Sequence, residues 1–247
     1  MSLSNEALTA RGEARRAMLA EQGVRVRKIV SSAFDAFFTA DGDKARSAIG
    51  LDDEIDRQDV EIEKRAVALL TEVANEATPC DDAPLRGILT LVKVNNEYER
   101  IADAGVDIAE RAVELSGSPA VFPPTTRVMT NSVLGILRDT TKAYDRRDAT
   151  LARLVLQSEN MVLSFKGEIL RAAEKAVATG DMSVDSAFDL HELAGLCVLM
   201  ADHATNIAEQ VIYETTGVIV RHRAGEWVEE SARDAIAQDN AARANGD

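Results

Sequence analysis

Carboxylates recur along two stretches of this chain at spacings that would gather them on helical faces. Over residues 94–110, "VNNEYERIADAGVDIAE", Asn96, Glu99, Asp103, Asp107 and Glu110 follow one another at intervals of three and four. Over residues 51–70, "LDDEIDRQDVEIEKRAVALL", Asp52, Asp56, Asp59 and Glu63 do the same. If the two helices run antiparallel, the acidic lines face each other. Carboxylates so crowded repel, and relief comes from bound cations or from raised pKa values. An all-oxygen set suits Mg²⁺, Mn²⁺, Ca²⁺ or iron. Upstream, Leu85, Ile88, Leu89 and Val92 occupy the same line, which puts the acids on a continuation of the buried face. A solvated face balanced by Arg57, Arg100 and Arg111 fits the same spacing, and spacing alone favours it.

Other chemistries find little support. A di-iron bundle needs paired Glu-x-x-His motifs. The histidines are His191, His203 and His222, and three residues before them stand Phe188, Met200 and Ile219. No GxGxxG, P-loop or GxSxG motif occurs, so no nucleotide or hydrolase site is expected and the chain reads as a non-enzyme. Cys197 lies in an apolar run and reads as a small core residue; Cys80 forms no CxxC pair with it, and a reducing compartment follows. The basic tendency near the start (Arg11, Arg15, Arg16, Arg25, Arg27, Lys28) sits in a chain of net charge −14. That balance disfavours nucleic acid and anionic lipid as partners. The opening "MSLSNEALTARGEARR" has no apolar signal core, and no run approaches the ~20 apolar residues of a membrane span. A soluble, cytoplasmic protein with no direct membrane insertion is expected.

The elements that must position these acids are long helices. In 247 residues there are five prolines and fourteen glycines, with aromatics at 4%, a composition that suits close helix–helix packing. Apolar periodicity predicts helices over about 5–38, 45–76, 83–115, 125–146, 148–178 and 186–215, with Asp41 or Asp43 capping the second. "SGSPAVFPPT" (116–125) is the strongest break. Three helices, a proline-rich break and three more helices predict an all-α fold of two tandem three-helix bundles: residues 1–117, residues 118–222 and a polar tail over 223–247. The tail is expected to fray or to add a short helix docked through Trp227. "ADAGVDIAE" (102–110) aligns with "ADHATNIAE" (201–209), an internal repeat in the last helix of each half.

"ERIADAGVDIAE" (99–110) and, more closely, "ADHATNIAEQVIYETTGVIVRH" (201–222) resemble the PhoU family of phosphate-transport accessory proteins, as does the 51–70 stretch. The resemblance covers roughly residues 10–222. It implies two three-helix bundles related by a pseudo-twofold, each with an E(D)xxxD motif that can hold metal. On that resemblance Glu99 and Asp103 form the first-half motif, Asp56 contributes from the second helix, and Asp107 stands where the family has Asn. The metal is a divalent ion such as Fe, Zn, Mn or Mg. The second half departs from the pattern: Val198 replaces the motif Glu and Leu163 stands where Asp56 does, which leaves Asp202 alone. Asp202 with His203, Asn206 and Glu209 would then make a degraded second site. The resemblance further implies a regulator that connects a phosphate ABC transporter, through its ATPase, to a sensor histidine kinase, restrains the starvation response and self-associates as a homodimer. The alternatives are a metal-binding, storage or catalytic bundle built on Asp56, Glu99 and Asp103, a plain helical scaffold, and a divergent member serving another uptake system.

Overall fold

The computed structural model describes residues 5–75, 82–117, 122–223 and 226–231. In chain order the helices are α1 (Asn5–Thr39), α2 (Gly42–Ile49), α3 (Asp52–Ala74), α4 (Asp82–Glu114), α5 (Pro124–Arg146), α6 (Ala149–Leu156), α7 (Glu159–Thr179) and α8 (Val184–Thr216). The six long helices expected from periodicity are all present, and the second of each half is broken. α2 gives way to α3 at Gly50–Leu51, and α6 to α7 at Gln157–Ser158. Each break lets a two-turn segment bury one face under the end of its bundle, Ala45 and Ala48 in α2 and Ala152, Val155 and Leu156 in α6.

The two halves repeat each other down to their turns. Ala40 (φ 50°) and Arg147 (φ 51°) end the first helix of each half in the left-handed region. Asp41 and Asp148 follow, and each side chain accepts a hydrogen bond from the backbone three residues on, at Lys44 and Leu151. The same geometry at equivalent places in two different sequences is strong evidence of a duplicated unit.

Within the first half α4 packs on α1, α2 and α3; within the second α8 packs on α5, α6 and α7. The halves meet chiefly through α4 against α8 and α1 against α5, and a single apolar core runs through both. α4 and α8 are antiparallel. Gly87 faces Glu214, Glu97 faces His203 and Arg111 faces Asp189, in that order along the pair.

Glycines set the closest approach. A Cβ on Gly105 of α4 would lie 3.0 Å from the Ile29 side chain of α1, and one on Gly23 of α1 would lie 2.5 Å from the Tyr98 hydroxyl. That hydroxyl is buried and hydrogen-bonds Thr141 Oγ1 on α5 at 3.3 Å. Cys197 is fully buried, as expected of a core residue, and burial pushes its thiol up to about 12. Cys80 lies outside the described residues.

The tail differs from expectation. Gly217 (φ 73°) terminates α8, and the β-branched run Val218-Ile219-Val220 then opens strand β1 (Val218–Arg223), paired antiparallel with β2 (Glu226–Ser231). Trp227 stands opposite His222 in that hairpin, so the segment is a strand and not a docked helix. The remainder of the tail lies outside the described residues.

Gly23→Ala should lower stability by about 1–3 kcal/mol through overpacking against Tyr98, which outweighs the helix propensity gained. Gly12→Ala, whose Cβ meets nothing within 4 Å, should stabilise by up to about 1 kcal/mol. Chemical denaturation of the two variants checks this, and equal effects in one direction would refute the packing account.

Candidate metal centre

α3 and α4 run antiparallel, and this brings the two acidic lines together. Asn95 Nδ2 donates to Asp59 Oδ1 at 2.6 Å and to the Asp59 carbonyl at 3.2 Å, which fixes the register of the pair. From there Glu99 comes alongside Asp56 and Asp59, and Asp103 alongside Asp52 and Asp56. Asp107 extends the line beyond Asp103. Asp52, Asp53 and Glu54 open α3, where the helix dipole favours negative charge.

The acids lie beside the buried face of α4 rather than on it. The buried ridge runs through Ile88, Leu91, Val94, Tyr98, Ile101, Gly105 and Ile108. Leu85 and Val92 are half-buried, and Leu89 is 50% exposed, so the line they share with the acids is a flank. Exposed aliphatics are common on soluble proteins, and Leu89 was misleading as a marker of the core. Asp56, Asp103 and Asp107 are exposed, while Asp52, Asp59 and Glu99 are half-buried at the α3–α4 seam.

Crowding has an electrostatic cost here. Partial burial, then Asp56 and Asp103, push the Asp52 carboxyl up to about 6. Burial followed by Glu63 raises Asp59; burial followed by Asp59 and Asp103 raises Glu99. Asp103 is raised by burial and then by Asp107, against which Arg100 acts in the opposite sense. Asp52 Oδ1 is buried with no hydrogen-bond partner. The donor set is all carboxylate oxygen, deficient in countercharge, and fits a hard divalent cation by its chemistry. Among the described residues no group of three or more acids or histidines is already drawn together around one point.

The second half is built otherwise. Asp202 is exposed, Leu163 is exposed at the α7 position equivalent to Asp56, and Val198 is half-buried at the position equivalent to Glu99. His203 and Asn206 both reach across to Glu97 of α4. His203 Nδ1 lies 2.6 Å from Glu97 Oε2, and Asn206 Nδ2 donates to the same oxygen at 3.3 Å. A carboxylate only accepts, so Nδ1 is the donor. Glu209 is paired with Arg221 of β1. Three of the four polar residues grouped with the degraded site are therefore engaged elsewhere. Sequence reading missed Glu97 altogether; with Lys93 and Arg100 at helical spacing on either side, nothing set it apart from an exposed surface acid.

The family model for the PhoU domain matches this chain twice, over residues 19–112 and 126–211. The chain belongs to the PhoU domain family. The Phosphate-specific transport system accessory protein PhoU homolog 1 of Thermotoga maritima is 28% identical over 194 residues, covering 78% of this chain and 82% of that protein. The corresponding PhoU homolog of Pseudomonas aeruginosa is 29% identical over 210 residues, 84% of each chain. The crystal structure of PhoU from P. aeruginosa superposes with a TM-score of 0.77 at 26% identity, covering 85% of this chain and 99% of that one. A structure of the phosphate transport system regulatory protein PhoU from Streptococcus pneumoniae gives the same TM-score at 20% identity and supports the fold alone.

The raised carboxyls set a pH dependence. Their folded pKa values exceed the unfolded ones, so between about pH 4 and 6 the folded state holds more protons and stability falls as pH rises. At neutral pH the charged cluster opposes folding, and Asp52→Asn should stabilise by about 1 kcal/mol after allowance for solvent screening, or ~2–4 °C in Tm. Near pH 4 the gain should vanish. Thermal melts of both proteins at the two pH values, in metal-free buffer, measure the difference.

Proposed function

We propose that this chain is a non-enzymatic, cytoplasmic regulator attached to a phosphate uptake system, working by contact with a transporter ATPase and a sensor histidine kinase. The observation that carries the reading is the double match to the PhoU domain, together with relatives named as phosphate-specific transport accessory proteins. Among the described residues no helix is long and apolar enough to cross a membrane, in keeping with action beside a transporter rather than as part of its channel. The two bundles, 1–117 and 118–222, act as one scaffold, and a homodimer through helical faces is part of the same reading.

The metal function belongs to the first half. Glu99, Asp103 and Asp56 are the ligands proposed, with Asp107 and the half-buried Asp52 beside them. A hard ion, Mg²⁺, Mn²⁺ or iron ahead of Zn²⁺, suits carboxylate oxygens. When bound, it would neutralise the repulsion between α3 and α4 and leave open positions for a phosphate or for a partner's acids. Asp202 would contribute weakly at most, since Val198 and Leu163 take the places of its partners. Those two apolar residues are also what supports a second reading, a divergent member serving a different uptake system.

Titration of the metal-free chain with Mn²⁺ followed by calorimetry should give binding that Glu99→Ala with Asp103→Ala weakens at least ~10-fold, a loss of two charged ligands. Asp202→Ala should change it little. Equal binding by all three proteins would reject the site. Co-purification from cells grown at high and low phosphate tests the regulator itself. A phosphate-transporter ATPase or sensor kinase captured in a phosphate-dependent way supports it, and capture of a different transporter's ATPase would favour the divergent reading.

A further inference from the structure

At the end of the molecule where α1, α4, α5 and α8 converge, away from the α3–α4 acids, lies a cavity of about 260 Å³. Arg15, Arg16 and Arg147 line it, together with Glu214 and the Tyr144 ring. The chain carries 42 acids against 28 lysines and arginines, so three guanidiniums around one cavity run against its overall charge. We infer that this cavity is a binding site for a small tetrahedral oxyanion of the phosphate class, held by Arg15, Arg16 and Arg147.

Arg16 is the fixed member. It is 6% exposed; its Nη1 donates to the Tyr144 carbonyl at 3.0 Å, Nη2 pairs with Glu214, and the guanidinium sits 5.1 Å from the Tyr144 ring centroid. Its Nε makes no hydrogen bond and lies 3.7 Å from Glu13 Oε2. Arg147 reaches the cavity from the left-handed residue that ends α5, with an ion pair to Glu13. Arg15 is the member without a balancing acid of its own. Its Nη1 donates to the Arg11 carbonyl one turn back, and its Nε is buried without a partner. Burial, followed by Arg11, lowers its pKa, and Arg65 adds to the effect while Glu72 opposes it. Glu72 is itself paired with Arg11.

The charge count then favours an added anion. Three lining cations meet two carboxylates, Glu214 in the wall, engaged by Arg16 and 3.6 Å from Arg147 Nε, and Glu13 at its margin, shared by Arg147 and Arg16, which leaves one positive charge in excess. Guanidinium forks match the oxygens of phosphate in pairs, which a halide cannot exploit. The space exists because Gly12 and Gly87 present no side chains to it; a Cβ on Gly87 would stand 3.5 Å from Glu214 Oε1. The remaining wall is apolar, with Leu69, Ile88 and Leu91, and suits the organic part of a phosphomonoester. Free phosphate and a small phosphate ester share the chemistry that the arginines recognise.

The inference goes beyond the regulatory reading and is tested without transporter, kinase or metal. Inorganic phosphate is titrated calorimetrically into the full chain at low ionic strength with chelator present. One-to-one saturable binding is expected, weakened about tenfold or more by Arg15→Gln and by Arg147→Gln through loss of a charged fork. Both positions are partly exposed, and thermal melts confirm that the variants remain folded. Glu99→Ala with Asp103→Ala should leave the binding unchanged, which separates this site from the acidic one. Absence of saturable binding up to about 10 mM, wild-type affinity in both arginine variants, or equal affinity for acetate would overturn it. Tighter binding of glycerol 3-phosphate than of phosphate would identify esters as the ligand, and the reverse would identify the free ion.

Discussion

The approach of α1 to α4, set by Gly23 and Gly105, constrains where everything else on α4 can go. At those two residues the helices are close enough that a methyl group would collide with Tyr98 or Ile29. With α1 so near, α2 and α3 take a second side of α4 and α8 a third. A helix enclosed on three sides has one narrow flank on which charge can remain solvated. Glu99, Asp103 and Asp107 stand on that flank, and α3 covers its edge just enough to raise the carboxyls of Glu99 and Asp103. The acidic patch is thus a consequence of packing as much as of composition, and its repulsion is the reason a cation would be welcome there.

Much of this could be read from residue order. Helix periodicity, the proline-rich break near 116–125 and the repeat of ADAGVDIAE as ADHATNIAE located six helices in two matching sets, and the cap of the second was narrowed to Asp41 or Asp43, of which Asp41 is the one used. The facing of Asp52, Asp56 and Asp59 with Glu99 and Asp103 followed from spacing once an antiparallel pair was assumed. Less accessible were features decided at long range. The phase of the buried face on α4 is set by α1 and α8, so Leu89, apolar but half exposed, pointed to the wrong side. The breaks after Ile49 and Leu156 carry no proline, and only the geometry of the bundle ends shows why the helix stops. The hairpin of β1 and β2 was hidden by a polar composition, although Val218-Ile219-Val220 after Gly217 was its trace. The family's functional expectations entered through resemblance, not through any residue's chemistry alone.

The two halves use one backbone plan for different surfaces. In the first, the seam between the second and third helices is lined with carboxylates. In the second, the corresponding seam has Leu163 and Val198, and the neighbouring surface leaves Leu199, Val184 and Phe188 exposed, the last by 62%. Exchange of two acids for two aliphatics removes most of the reason for a cation to bind and leaves apolar area in its place. A duplicated fold tolerates this because the core positions, not the seam, hold each bundle together.

Among the polar pairs that join the halves, three mark the antiparallel α4–α8 contact from end to end. Arg16 with Glu214 closes one end, Glu97 with His203 the middle, and Arg111 with Asp189 the other end. Each has at least one member almost fully buried, so breaking any of them strands a charge or a polar group in a dry interface. A slide of one bundle along the other would break all three together. The acidic flank, the apolar face of the second half and the arginine cavity are therefore held at fixed relative positions. Because Arg16 and Glu214 belong both to the cavity and to the joint, an anion bound there would act on the contact that orients the two bundles.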